Sequence, residues 1–461
     1  MTNVQMTNDE TGRVFVWSLG IGHWDFIRHS DFVIRHFPHH LALPPPPSFR
    51  KITTLSPTMP SSAWSGFPLS ASHPMPFQKS ARLQSLPPYL FIEIDKKKRA
   101  KIASGADVIN LGVGDPDHPT PAFIIDKMAQ AIYDPRNHRY PFDEGVPAFR
   151  DSAAAFMQKR FNLALSTDQI ITTIGSKDGI AHLPLAVVNP DDIVLVPAPG
   201  YPVYNSSAIF AGGRPFQIEL TEANGWLPDL DAIPADVARQ AKLMWVNYPN
   251  NPTAAVAPRK FYEQLVAFAE KYDILLASDL AYSETYFDEP PVSILQIPGA
   301  MDRAIEFHSL SKTFNMTGWR IGFAAGNTAI VAALAQVKAN SDSGQFNAIQ
   351  WAGKEALDHF DHPDVKAMTQ TYRQRRDVFC DGLSAAGIPT PRPHASFFVW
   401  GKCPPGYTSM NFVARVLDEA AVVLVPGGGF SPHCDTYFRA ALTVEVDRMK
   451  QAVDRIAKIK W

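Results

Sequence analysis

Beyond Leu83 the chain alternates short β-rich runs with amphipathic helical stretches. That alternation constrains the fold most, because strands joined through helices pair in parallel and need helices on both faces of the sheet. A mostly parallel α/β sheet is therefore expected. At 461 residues and 46% hydrophobic content the chain can bury two cores, so two or more domains are expected.

Each predicted strand delivers a polar group at its end, where open α/β sheets collect ligands. The run QIITT (169–173) is followed by Gly175-Ser-Lys-Asp-Gly and an apolar helical stretch. The backbone N–H groups of Ser176 and Lys177 would then face an anion from a helix N-terminus. The run DIVLV (192–196) leads to Tyr201, which could cover a planar ring. The run KLMWV (242–246) leads into NYPNNPT (247–253), which carries Asn251, and ILLAS (274–278) ends in Asp279 and Tyr282.

The run RAIEFH (303–308) opens onto SLSKTFNMTGWR (309–320), so Lys312 lies on the loop leaving a strand and eight residues before Arg320. A lysine there can form an imine with an aldehyde cofactor such as pyridoxal 5'-phosphate. Ser309 and Arg320 could hold its dianionic phosphate, the arginine through a charge-assisted fork, and Ser311 joins them as a cofactor-binding candidate. A carboxylate at Asp279 would keep a pyridine nitrogen protonated, while Asn251 and Tyr282 could hydrogen-bond a phenolic oxygen. Alone, Lys312 reads as a surface lysine in a Ser/Thr loop and Asp279 as a turn cap. The ordered set is what resists that reading.

The net charge of −2, from 43 basic and 45 acidic residues, offers no electrostatic reason to expect nucleic acid or an anionic membrane as partner. Small molecules are the expected ligands. Cys380, Cys403 and Cys434 are too few and scattered for a disulfide framework or zinc site, and no metal is expected. The histidines at 36, 39 and 40 lack a carboxylate or cysteine framework. Residues 1–80 carry ten prolines, including the run 44–47, without sustained periodicity, and are expected to be a disordered extension with Met75 as a possible true start. No stretch approaches the roughly 18 consecutive apolar residues of a membrane span.

Taken together, residues 83–461 resemble the fold-type I, class I/II pyridoxal-phosphate-dependent aminotransferases. Within them the resemblance is to the LL-diaminopimelate branch, through YLF (89–91), LGVGDP (111–116), RYPFDEG (139–145), GSK (175–177), SDSG (341–344), VPGGGF (425–430) and YFRAALT (437–443). The resemblance implies a three-layer α/β/α large domain at 121–340. A small α+β domain would be built from the arm at 81–120 and the C-terminal part at 341–461. It implies that Lys312 is the cofactor-linking lysine and proton shuttle, and that Arg439 clamps the substrate α-carboxylate, a role that also suits the bidentate geometry of arginine. Tyr140 would reach the phosphate across a subunit interface, which makes a homodimer with shared active sites. Tyr89, Gly114, Tyr201 and Asn251 would contact substrate. The enzyme would be cytoplasmic and act in lysine biosynthesis.

One departure is Thr253-Ala254, where the resembled enzymes usually have Thr-Gly, so an altered turn after Asn251 is expected, with little effect on Asn251 itself. The Gly112-Val-Gly114 loop lacks the third glycine of a dinucleotide site, and Pro116 and Pro119 block a helix there. His308 is expected to be a strand residue. Alternatives on the same scaffold are an aspartate or broad-range aminotransferase, a C–S lyase, or a non-catalytic regulator. The last would need an upstream helix-turn-helix that residues 1–80 do not offer.

Overall fold

The computed structural model describes residues 77–86, 91–141 and 144–461, and two short strands nearer the N-terminus. The chain divides into two units, Met1–Pro76 and Phe77–Trp461. In the first, β1 (Gln5–Asn8) and β2 (Val14–Trp17) pair antiparallel. Most of the expected extension at 1–80 lies outside the described residues, as do the histidines at 36, 39 and 40.

In the second unit, β3 (Ile109–Asn110) precedes a seven-stranded sheet formed by β4 (Ile170–Thr173), β5 (Ile193–Ala198), β6 (Arg214–Glu219), β7 (Ala241–Asn247), β8 (Leu275–Asp279), β9 (Ala304–Ser309) and β10 (Gly322–Gly326). Its order is β4-β10-β9-β8-β7-β5-β6, and only β10 runs against the rest. Strands β4, β5 and β9 are buried along their whole length, as a sheet covered on both faces requires. One face packs on a core that includes Phe149, Phe156, Leu265 and Phe323, the other on one that includes Ile180, Tyr204, Trp245 and Phe307. This is the expected mostly parallel α/β sheet in three layers.

The sheet's chemistry lies at one edge. The chain moves outward from β5 to β6, then returns past β5 to β7 and proceeds the other way, which opens a crevice at the carboxyl ends of the strands. Strand β10 matters as much. Because it is antiparallel, its first residue, Gly322, pairs with the last residues of both neighbours, Thr173 of β4 and Ser309 of β9. A Cβ at Gly322 would lie 2.5 Å from the His308 carbonyl oxygen, so only glycine fits that approach.

A second core gathers Phe379, Leu383, Phe412, Val416, Phe438 and Met449 beneath β11 (Phe398–Lys402), β12 (Val422–Val423), β13 (Val425–Pro426) and β14 (Tyr437–Ala441). Strands β11, β14 and β13 form an antiparallel sheet, and β12 pairs in parallel with β3, which ties residues 109–110 to the C-terminal part. The expected boundary at 341 falls before the helix Asn347–Asp358, which packs on the helices Ala122–Ile132 and Pro147–Phe161 of the large core. The small core draws on the next helix, Pro363–Ala385, from Tyr372 onward.

Candidate active site

A cavity of about 650 Å³ lies between the sheet edge and the second core. Strand ends supply its floor: Ser176 and Lys177 after β4, Tyr201 after β5, Asn251 after β7, Asp279 and Tyr282 at β8, and Ser309, Ser311 and Lys312 after β9. Arg320 stands just ahead of β10, while Gly114 and Arg439 close the other side. Twelve of the fourteen residues expected to bind cofactor or substrate thus share one hollow. Tyr140 does not line it. Tyr140 is 89% exposed and borders a separate open cleft with Asp342, Ser343 and Gly344. Tyr89 lies outside the described residues.

Lys312 Nζ donates to the Gly114 carbonyl at 2.9 Å and sits 5.6 Å from the Phe397 ring centre. Burial lowers its pKa from 10.5 to about 8, helped by the positive charges of Arg320 and Arg439 and opposed by Asp115 and Asp279. The amine is therefore much easier to deprotonate than an exposed lysine.

Asp279 is buried at the end of β8 and level with Asn247 of β7. Its Oδ2 accepts from the Tyr204 hydroxyl at 2.6 Å and its Oδ1 from the Ala281 N–H at 3.2 Å. Burial still raises its pKa to about 6, because those two hydrogen bonds only partly replace lost hydration. Tyr204 is fully buried, stacked on Trp245 at 5.0 Å, and carries Tyr201 edge-on at 5.7 Å. Sequence reasoning singled out Tyr201 but missed Tyr204. The available signal was their i, i+3 spacing at the start of the helix Pro202–Phe210, which turns both rings to one side.

Arg439, on β14, donates to Asn251 Oδ1 at 2.9 Å and to the Gly112 carbonyl at 2.8 Å. Its guanidinium lies 4.3 Å from the Phe398 ring centre and 5.0 Å from that of Phe430. Asn251 is also hydrogen-bonded to Tyr282, and its own N–H donates to Asn247 Oδ1 at 2.8 Å. Asn247 was a second residue not singled out from the sequence. It holds both Asn251 and the Asp279 carbonyl, the latter at 2.7 Å.

The turn flagged at Thr253-Ala254 keeps Asn251 in this network. Ala254 adopts φ 59°, and its N–H donates to the Asn250 carbonyl at 2.8 Å. An L-residue in that left-handed region is strained by roughly 1–2 kcal/mol. Ala254→Gly is expected to stabilise the protein by about 0.5–1 kcal/mol after the greater backbone entropy of glycine in the unfolded chain is subtracted. Thermal denaturation should show a raised midpoint, and a lowered one would mean that the turn is not strained.

Gly175, Ser176 and Arg320 form a cup at one end of the cavity. Gly175 has φ 72°, and a Cβ there would meet Arg320 Nη2 at 2.6 Å, so the cup exists only around glycine. Arg320 itself adopts φ 56° and donates to the Thr317 carbonyl at 2.8 Å, which turns its guanidinium back toward the helix Ser176–Val187. Ser311 Oγ lines the same region, buried and without a hydrogen-bond partner among the described residues. An orphaned hydroxyl, a helix N-terminus and an arginine suit a phosphate, and the Asp279 carboxylate suits a protonated ring nitrogen. The residues present therefore fit pyridoxal 5'-phosphate.

Other candidates have local explanations. His308 is buried on β9, hydrogen-bonded to Glu306 at 3.1 Å and stacked on Phe323 at 4.6 Å, so it serves the strand. The three cysteines are unpaired and buried, and burial pushes each thiol up to about 12, which leaves no reactive thiolate.

The fold and this cavity describe an enzyme that holds a phosphorylated cofactor over a lysine, and comparison with known proteins agrees. The family of class I and II aminotransferases matches residues 106–456, and the chain belongs to it. It is a pyridoxal-phosphate-dependent transaminase, a class that acts on amino acids and 2-oxo acids. Within the family it is 52% identical to the LL-diaminopimelate aminotransferase of Aquifex aeolicus over 386 residues, 83% of this chain and 100% of that one. It is 50% identical to the enzyme of the same name from Syntrophobacter fumaroxidans, over 84% of this chain and 100% of the relative. A single mutant of the aspartate aminotransferase of Thermus thermophilus superposes with a TM-score of 0.78 at 28% identity, covering 83% of this chain and 99% of that one.

Proposed function

We propose that this chain is an LL-2,6-diaminopimelate:2-oxoglutarate aminotransferase of lysine biosynthesis, working in the cytoplasm as a homodimer with shared active sites. The observation that carries the substrate is the identity of about half to full-length enzymes of that name. Among the described residues, no helix is long and apolar enough to cross a membrane.

Pyridoxal 5'-phosphate, when bound, supplies an aldehyde for amino groups and a ring that takes up the electron pair released as the substrate Cα–H bond breaks. Lys312 Nζ is the amine that holds this aldehyde between turnovers. Freed by the amino donor, Nζ takes the proton from the substrate Cα, a task suited to a buried amine with its pKa near 8. Arg439 binds the α-carboxylate. Its orientation is already fixed by Asn251, Gly112 and the Phe398 ring, so little freedom is lost on binding. Asp279 holds the positive charge of the ring nitrogen, and Tyr204 holds Asp279. Ser176, the Lys177 N–H, Ser309, Ser311 and Arg320 would receive the phosphate, Tyr201 would cover the ring, and Asn251 and Tyr282 would meet its phenolic oxygen. Gly114 and the arm residue Tyr89 contact substrate. Tyr140, exposed beside the segment 342–344, would reach the phosphate in the other subunit.

The test is a substrate panel on purified protein with 2-oxoglutarate. Glutamate should form from LL-diaminopimelate at a kcat/KM at least about tenfold above that with aspartate, on the scale that a recognised polar end is worth. Preference for aspartate would replace the substrate assignment. Pyruvate and ammonia from cystathionine would replace the reaction by a C–S lyase.

A further inference from the structure

We propose that Arg375 and Asp117 form a positioning pair that sets the loop 112–118 against β14 and thereby orients both Lys312 and Arg439. The proposal rests on the aminotransferase reading for what the loop serves. Three consecutive carbonyls of this loop each accept from a different residue: Gly112 from Arg439 at 2.8 Å, Val113 from the Thr443 hydroxyl at 2.9 Å, and Gly114 from Lys312 at 2.9 Å. The loop is thus bonded to both the proton-carrying amine and the carboxylate-binding guanidinium. Its own sequence holds it weakly. It is Gly-Val-Gly-Asp-Pro-Asp-His, without regular structure, and Val113 is half exposed.

Arg375 supplies what the loop lacks. It is fully buried on the helix Pro363–Ala385, and its two terminal nitrogens fork onto Asp117 at 2.7 and 2.8 Å. Nη2 also lies 3.1 Å from His118 Nε2, and Nη1 donates to the Leu442 carbonyl at 3.0 Å. Leu442 sits between Ala441, whose N–H donates to the Leu111 carbonyl at 2.7 Å, and Thr443. One guanidinium therefore ties the far end of the loop to the segment that follows the strand carrying Arg439. Asp117, His118 and Glu445 stand close enough together to hold a metal ion, but the buried guanidinium already lies among them, with Glu445 at 3.7 Å. A buried fork of this kind fixes direction as well as distance, which lysine could not do.

The test is Asp117→Asn in the holoenzyme, a nearly isosteric change at a side chain still 23% exposed. The substitution removes the charge and one acceptor of the fork. The expected result is a KM for the amino donor raised about tenfold, from the loosened Arg439, together with a kcat lowered about threefold to tenfold, from the less well placed Lys312. Amide hydrogen exchange of peptides spanning 112–118 should quicken by about tenfold while those of β5, β7 and β8 stay unchanged. Arg375→Lys should behave alike, and the two substitutions together should be no worse than either alone. An unchanged KM with unchanged exchange would overturn the proposal, and so would exchange that quickens equally through both cores. Wild-type protein that transaminates no amino acid would instead overturn the functional reading, and the exchange measurement would still decide whether the pair holds the loop.

Discussion

Lys312→Ala is expected to lower transamination by on the order of 10⁴-fold or more, since in the proposed function one side chain provides both the covalent anchor for the cofactor and the base at the substrate Cα. Of the cavity's other cations, Arg439 is committed to Asn251 and Gly112 and Arg320 to the Thr317 carbonyl, and His308 outside it is committed to Glu306. The visible absorbance that marks cofactor joined to a lysine should vanish in the variant, while phosphate binding at Gly175 and Ser176 should survive and leave cofactor dialysable. Single-turnover assays and spectra of the variant check both parts. Activity within tenfold of wild type would show that the base lies elsewhere.

Asp279→Ala is the second large effect, with an expected loss in rate of on the order of 10²–10³, comparable to removing a preorganised charge partner from other active sites. Cofactor should also bind more weakly, because the ring nitrogen would lose the charge that keeps it protonated. Stability should respond in the opposite sense in protein stripped of cofactor. There burial raises the Asp279 carboxyl from 3.8 to about 6, so the folded chain keeps a proton that the unfolded chain has released. This group's contribution therefore falls as pH rises from about 4 to about 6, by roughly 3 kcal/mol at most. Urea denaturation across that range should show the decline in wild type and its loss in Asp279→Ala. An equal slope in both would place the titrating group elsewhere.

The sheet was legible because β5, β7 and β8 carry apolar runs, IVLV, LMWV and LLA, with β7 and β8 running on into Asn247 and Asp279, and hydrophobic burial on both faces leaves few other folds for such a pattern. Strand β10 was not. Its sequence, Gly-Phe-Ala-Ala-Gly, has no β-branched residue, and its place in the sheet depends on how closely its neighbours can approach a residue without a side chain. Tyr204 was hidden for a different reason. A tyrosine three residues beyond another reads as core packing until Asp279, 75 residues later in the chain, is brought within 2.6 Å of its hydroxyl.

By itself the sequence determined the chemistry on offer: a lysine after one strand, a carboxylate after another, an arginine eight residues beyond the lysine, and an arginine far downstream. These follow from residue type and local periodicity, which are written along the chain. Only the tertiary structure decided that they meet. Arg320 reaches the cup at Gly175 because β10 runs backward between β4 and β9, and Arg439 reaches Asn251 because the second core lays β14 over the sheet edge. Both depend on strand pairing and core contacts between residues distant in sequence, and no local pattern encodes those.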